Sequence, residues 1–176
     1  MKYRRADTKG GTYFFTLNLA ERDKTLLTDH IDVLRQTINQ VKKGHPFILN
    51  AMVVLPDHLH AMLTLPNQDN DYATRWRLIK AGFSRQLSNH ERISESRNKK
   101  GERGIWQRRY WEHLIRDDDD YEKHANYIHY NPVKHGYVLR ASEWPYSTIH
   151  AHIEKGLLSR NWGFDAIEEL NCGERV

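Results

Sequence analysis

The chain has 176 residues, with 27 Lys and Arg against 23 Asp and Glu, a formal net charge of +4, and 11 histidines. That length holds one hydrophobic core and little more, and no apolar run approaches the roughly 20 residues of a membrane span. The opening MKYRRADTKGG lacks the apolar stretch of a secretory signal, and the single cysteine, Cys172, excludes an intrachain disulfide and fits a cytoplasmic protein.

The first element in chain order is a strand at 13–19, where Tyr13, Phe15, Leu17 and Leu19 form one apolar face. Leu27, Ile31, Leu34, Ile38 and Val41 then recur at helical spacing, and Gly44 closes that helix. Residues 47–55, FILNAMVVL, are dense in apolar and β-branched types, as in a buried strand. Pro56-Asp57 marks a turn, and residues 58–65 alternate, with Leu59, Ala61, Leu63 and Leu65 on one face and His58, His60, Met62 and Thr64 on the other. A second helix carries Tyr72, Trp76, Ile79, Phe83 and Leu87 on one stripe and leaves Arg75, Arg77, Lys80 and Arg85 for its other faces. The polar run 89–104 reads as a mobile loop.

A fourth strand is expected over Ile105 to Arg116, followed by Asp117–Asp120 at the N-terminus of a third helix, where the helix dipole favours acidic residues. This helix is expected to stop near Asn131, because Pro132 opposes continuation. A short helix from about Pro145 to Lys155 ends at Gly156. The order β-α-β-β-α-β-α predicts an α+β, ferredoxin-like antiparallel sheet with helices packed on one face. It occupies one domain, 1–156, with a C-terminal tail over 157–176.

Two segments carry candidate chemistry. In His58-Leu59-His60, residues two apart on a strand point the same way, so both imidazoles leave one face and can share a divalent cation. His150-Ala151-His152 has the same pattern, but on a helix its histidines diverge by about 200° and would be surface residues. In the third helix, Tyr127 and Asn131 differ by only about 40° around the axis and share a face, with His124 nearby. Tyr121, Ala125 and Ile128 form a different stripe, better suited to the core. Tyr130 lies at the helix end and diverges from Asn131 by about 100°.

A tyrosine hydroxyl, with a pKa near 10, is a poor nucleophile unless its electrophile is activated. A divalent ion beside a scissile phosphate supplies that activation. Cations interleaved with aromatics in Tyr3-Arg4-Arg5, Trp76-Arg77 and Trp106-Gln107-Arg108-Arg109-Tyr110-Trp111 suit single-stranded nucleic acid. Arg4, Arg5, Arg108, Arg109 and Lys134 are the candidate phosphate contacts. Two other functions fit the same residues: a ferredoxin-like domain that binds nucleic acid without cutting it, and a metal-dependent nuclease in which water attacks. A Ser-His-Asp hydrolase elbow and a Walker A loop are both missing from the sequence.

Leu55-Pro56-Asp57-His58-Leu59-His60 resembles the histidine-hydrophobe-histidine motif of the HUH endonucleases, and residues 127–136, YIHYNPVKHG, resemble the tyrosine helix of their single-tyrosine transposases. Residues 9–16, Trp106-Gln107 with 110–113, and 144–148 extend the resemblance over about 3–150 to the REP-associated tyrosine transposases. The resemblance implies Mg²⁺ or Mn²⁺ and cleavage of single-stranded DNA beside a REP hairpin. It also implies a 5′-phosphotyrosine intermediate with a free 3′-hydroxyl, and rejoining of the cut strand. It makes Tyr127 the nucleophile, His58 and His60 metal ligands and Asn131 a third ligand. A monomer with its site completed in cis is expected, working in the cytoplasm and on the nucleoid when bound to DNA.

Overall fold

The alternation at 13–19 and 58–65 builds the two central strands of a sheet. The computed structural model describes residues 8–88 and 93–163. Through them the chain runs β1 (Thr12–Asn18), α1 (Leu26–Asp29), α2 (Ile31–Gly44), β2 (Ile48–Val54) and β3 (His58–Thr64). It continues as α3 (Tyr72–Gln86), α4 (Glu95–Asn98), β4 (Trp111–Leu114), α5 (Asp118–Lys134), a 3-10 turn (Ala141–Glu143) and α6 (Ile149–Glu154). The sheet order is β2-β3-β1-β4 and every neighbouring pair is antiparallel. The expected α+β antiparallel architecture and element order are therefore observed.

One face of the sheet presents Tyr13, Phe15 and Leu17 of β1 and Leu59, Ala61 and Leu63 of β3 to α2 and α3. Leu34 and Ile38 of α2 and Trp76, Ile79 and Phe83 of α3 complete that core. Burying each large side chain here contributes roughly 1.5–3 kcal/mol. The two helices approach closely at Gly82, where a Cβ would lie 2.7 Å from Thr37 Cγ2, so any side chain at 82 would push them apart.

The expectation that helices lie on one face is corrected by α5, which covers the other. Phe14 of β1, Met62 of β3 and Ala51, Val53 and Leu55 pack against Tyr127 and Ile128. The cause is visible at the even positions of the central strands, where Phe14 and Met62 are fully buried. A sheet apolar on both sides needs two covers.

Four local expectations also change. The strand expected over Ile105 to Arg116 pairs regularly only at Trp111–Leu114, because Trp106 makes an isolated bridge to Leu19 and turns its ring onto Phe83. The helix expected to stop at Asn131 continues through Pro132 to Lys134. The proline sits in the last turn, where it forfeits one N–H bond. The carbonyls of Asn131, Pro132 and Val133 still accept from His135, Tyr137 and Gly136, and Gly136 adopts φ +72° to close the helix. Arg75 is buried rather than surface-facing, because its guanidinium is fully employed by the Pro46 and Asp71 carbonyls and by Asp69 at 2.6 Å. The described part of the 89–104 loop carries α4 and is tied down, with Arg103 donating to the Leu87 carbonyl at 2.8 Å and Arg97 to that of Trp106 at 3.1 Å. Arg4, Arg5 and the tail beyond residue 163 lie outside the described residues.

Candidate active site

The antiparallel register of β1 on β3 sets Asn18 opposite His58 and Thr16 opposite His60. Both imidazoles leave the face covered by α5, and their ring centroids are 5.0 Å apart. Each is fixed from behind through Nδ1. His58 Nδ1 donates to Asp57 Oδ1 at 2.6 Å, and His60 Nδ1 lies 2.8 Å from Thr16 Oγ1. Arg22 pairs with the second carboxylate oxygen of Asp57. A histidine held by one ring nitrogen offers the other as a ligand in a fixed direction.

Electrostatics act on Asp57 and His60 in opposite senses. Burial alone would raise the Asp57 carboxyl, but its hydrogen bonds from His58 and Arg22 override that and hold it well below the usual carboxylate range. Burial pushes His60 well below the ordinary imidazole value, and the nearby His58, His135 and Lys134 push it the same way. A neutral imidazole is the form that binds a metal.

The helix α5 supplies the rest. Asp117 caps its N-terminus by accepting from the Asp120 N–H at 2.8 Å. One helical face then carries Tyr127, Asn131 and Lys134 over the histidines. The Tyr127 ring lies 5.2 Å from the His60 ring and 5.9 Å from that of Phe14, edge-on to both, and is 4% exposed. Lys134 Nζ sits 4.7 Å from the Tyr127 ring centre. Asn131 is wholly buried, and neither its Nδ2 nor its Oδ1 has a well-formed hydrogen bond. The side chain acts on His60 electrostatically, opposing the effect of burial, without reaching regular hydrogen-bond geometry. A buried amide left in this way costs about 1–3 kcal/mol, and its oxygen suits a hard cation.

His58, His60, Tyr127, Asn131 and Lys134 are thus brought together. Arg108 is elsewhere, paired with Glu102 at 2.8 Å, and Arg109 is exposed in the segment before β4. His150 and His152 lie on α6 and diverge as expected. Both are half-buried rather than surface residues, and they turn to the Trp144 and Thr148 carbonyls at 2.8 and 2.9 Å.

A separate cluster lies where β4 meets α5. The ligand atoms of His113, Asp120 and His124 fall within 4.8 Å of one another, close enough for the three to hold a metal ion. Without an ion, Asp120 is bound by His113 Nε2 at 2.8 Å and Arg116 Nε at 3.0 Å, while His124 Nδ1 donates to the Asp120 carbonyl at 2.7 Å. This network fastens the first turns of α5 to the sheet edge and so orients the helix that bears Tyr127.

Comparison with known proteins now bears on this geometry. Residues 8–131 match the family described as "Transposase IS200 like". The REP-associated tyrosine transposase of Escherichia coli strain K12 is 44% identical over 99% of this chain and 98% of its own length. A Haemophilus influenzae protein (strain ATCC 51907 / DSM 11121 / KW20 / Rd), provisionally given the same name, is 48% identical over 92% of both chains. The chain belongs to the REP-associated tyrosine transposases. A solved structure of a REP-associated tyrosine transposase bound to a REP hairpin superposes with a TM-score of 0.83 at 44% identity, over 100% of this chain and 98% of that one. Members of this family are DNA endonuclease-transposases, which agrees with a tyrosine set over a histidine pair.

In this transposase, sequence reasoning misses the residues that support the site. Asp57 reads from sequence only as a turn residue, although its place next to His58 is a usable signal. Thr16 and Arg22 give none, because their roles depend on strand register and on a pairing 35 residues apart. His135, whose ring is 5.2 Å from that of His58, follows the proline that is expected to end the helix.

Proposed function

We propose that this transposase cuts single-stranded DNA beside a REP-type hairpin by attack of Tyr127 on a phosphodiester, and rejoins strands by the reverse reaction. The observation that carries this reading is the placing of the Tyr127 ring 5.2 Å from His60, on the helical face that also aims Asn131 at the histidine pair. The REP hairpin bound by the related transposase supports the choice of substrate.

Two pre-oriented imidazoles and a buried amide without a regular partner fit a divalent metal, and His58, His60 and Asn131 would hold it. Bound there, Mg²⁺ or Mn²⁺ polarises the scissile phosphate and offsets charge on its oxygens. The chain's own residues do the rest. Phe14 and His60 pack against the Tyr127 ring and fix its approach. Lys134, whose Nζ lies 4.7 Å from the Tyr127 ring centre, would meet a phosphate oxygen. As the bond from Tyr127 Oη to phosphorus forms, the bond from phosphorus to the 3′ oxygen breaks. The tyrosine proton leaves to water and the departing oxygen takes up a proton to become a 3′-hydroxyl. The 5′-phosphotyrosine retains the ester, so rejoining requires only a second hydroxyl. The reading includes a monomer that completes its site in cis, with Tyr127 packed on His60 of its own chain. With DNA as its substrate, the enzyme would act in the cytoplasm, at the nucleoid when bound.

The test is incubation of the protein with a hairpin bearing a single-stranded flank, with Mg²⁺, with Mn²⁺ and with chelator, followed by a denaturing gel and peptide mapping. A metal-dependent covalent adduct on Tyr127 is expected. Cleavage without any adduct would mean that water attacks and would overturn the reading.

A further inference from the structure

The sheet edge at β4 carries metal-ligating side chains that the catalytic face does not use. His113 stands on β4, and Asp120 and His124 lie one turn apart on α5, so all three meet where strand and helix join. Asp120 sits between the two imidazoles, with Oδ2 2.8 Å from His113 Nε2 and Oδ1 3.2 Å from His124 Nδ1. Neighbouring ligand atoms on a tetrahedral zinc ion are about 3.3–3.5 Å apart, given zinc–ligand lengths of about 2.0–2.2 Å. Both contacts therefore lie within about 0.7 Å of the spacing that an ion needs.

Hydrogen bonding alone does not account for the cluster. His124 is buried, and its Nε2 has no hydrogen-bond partner among the described residues. A buried imidazole nitrogen left in this way costs stability, which a bound ion would offset. Burial alone would raise the Asp120 carboxyl, but hydrogen bonds from Arg116 and His113 override it and hold it well below the usual carboxylate range. Asp120 is thus an anion set between two imidazoles. The His113 and His124 rings stack at 14° with centroids 4.6 Å apart, so the half-buried His113 is the ring that turns to aim its nitrogen at an ion. Arg116 is exposed and can withdraw to solvent as the ion takes its place on Asp120.

The donor set selects the ion. Two imidazoles with one carboxylate suit zinc, whereas Mg²⁺ prefers oxygen ligands throughout. His58, His60 and Asn131 include no carboxylate, so the charge of Asp120 draws zinc to the cluster ahead of the catalytic face. Its position joins the cluster to the nucleophile. His124 comes three residues before Tyr127, and both rings pack on Phe14, at 4.9 and 5.9 Å between centroids. An ion bound here ties α5 to the sheet in the turn that precedes Tyr127.

We propose that His113, Asp120 and His124 form a second metal site, suited to zinc, that clamps the first turns of α5 to β4 and so holds the helix that bears Tyr127. The site stands on these three residues, and only its consequence for Tyr127 rests on the endonuclease reading. A wild-type protein that never forms the phosphotyrosine would defeat that reading and leave a zinc titration intact.

The experiment uses the full chain, freed of metal with chelator and dialysed, as the His60→Ala variant and as His60→Ala/His113→Gln. The first substitution disables the catalytic pair, so that zinc bound elsewhere is read without it. Glutamine keeps a hydrogen bond to Asp120 at a half-buried position, so the double variant retains the fold. Calorimetry with Zn²⁺ should find one tight ion per chain in His60→Ala and an affinity at least about 100-fold lower in the double variant, since even an outer partner of a ligand is worth about 10- to 100-fold. Co²⁺ should give His60→Ala the visible absorption of a tetrahedral ion, and the double variant should lack it. Zinc at about 100 times its Kd should raise the thermal midpoint of His60→Ala by about 5 °C or more and leave that of the double variant unmoved. Hydrogen exchange over residues 120–127 should slow at least about tenfold with zinc in His60→Ala alone. Zinc affinity that is the same with and without His113, or absent from His60→Ala, would overturn the site. Zinc that binds there without slowing exchange in α5 would overturn the clamp.

Discussion

The two faces of the sheet are built on opposite principles. Under α2 and α3 the core is apolar and closely packed, with Tyr13, Phe15, Trp76 and Phe83 each at most 1% exposed. Under α5 the same strands bury His58, His60, Thr16, Asn131 and His124, several of them in states that cost stability. One side of β1 and β3 therefore holds the fold together, and the other gives up some of that stability to keep polar groups dry and aligned.

The contrast can be broken most visibly from the apolar side. Trp76→Ala removes a fully buried ring and should cost about 3–5 kcal/mol, read as a fall in the urea midpoint. A loss under about 1 kcal/mol would mean that this face is not the main source of stability. On the polar side, Asp57→Asn should lower the midpoint, because the ion pair with Arg22 is lost, and weaken binding of Mn²⁺ about 10- to 100-fold, because His58 loses the carboxylate that orients it. Calorimetry with Mn²⁺ measures this, and unaltered affinity would remove Asp57 from the site.

The next effect is one of pH. Burial, with His152 nearby, lowers the His129 pKa to about 3, and burial lowers His60 as well. Both folded values lie below the unfolded value near 6.5, so below pH 6.5 the unfolded chain takes up protons that the folded chain refuses. Stability should be full above pH 6.5 and decline as the pH falls toward about 3, by roughly 1 kcal/mol per histidine between pH 6.5 and 5.5. A midpoint in chelator that holds steady over that range would show that these histidines protonate freely in the folded state. The smallest effect has the opposite sign. Asn131→Leu replaces an amide lacking regular hydrogen bonds with an apolar group of similar size and should stabilise the protein by about 1 kcal/mol while ending cleavage. Destabilisation would mean that the amide holds the fold rather than an ion.

The apolar face is readable from sequence because it obeys simple periods: odd positions in β1, and the Tyr72, Trp76, Ile79, Phe83, Leu87 stripe of α3. The histidine pair and the Tyr127–Asn131 face are readable for the same reason. The second cover escapes because Phe14 and Met62 stand at positions assigned to the polar face, and period-2 reasoning looks for one apolar side. Arg75 escapes because a buried guanidinium needs carbonyl partners far away in sequence, such as Pro46. Thr16 and Arg22 depend on strand register and on a pairing 35 residues apart, which no local pattern encodes.

The central claim is that the face shared by Tyr127, Asn131 and the histidines performs the chemistry. Tyr130, three residues on and half-buried near the same helix end, is the natural control. Tyr127→Phe and Tyr130→Phe are each incubated with the flanked hairpin and Mn²⁺, and the covalent adduct is quantified on a denaturing gel. Tyr127→Phe should form no adduct and cut nothing while binding the hairpin as the wild type does, and Tyr130→Phe should retain the adduct. An adduct that persists in Tyr127→Phe and vanishes in Tyr130→Phe would contradict the assignment.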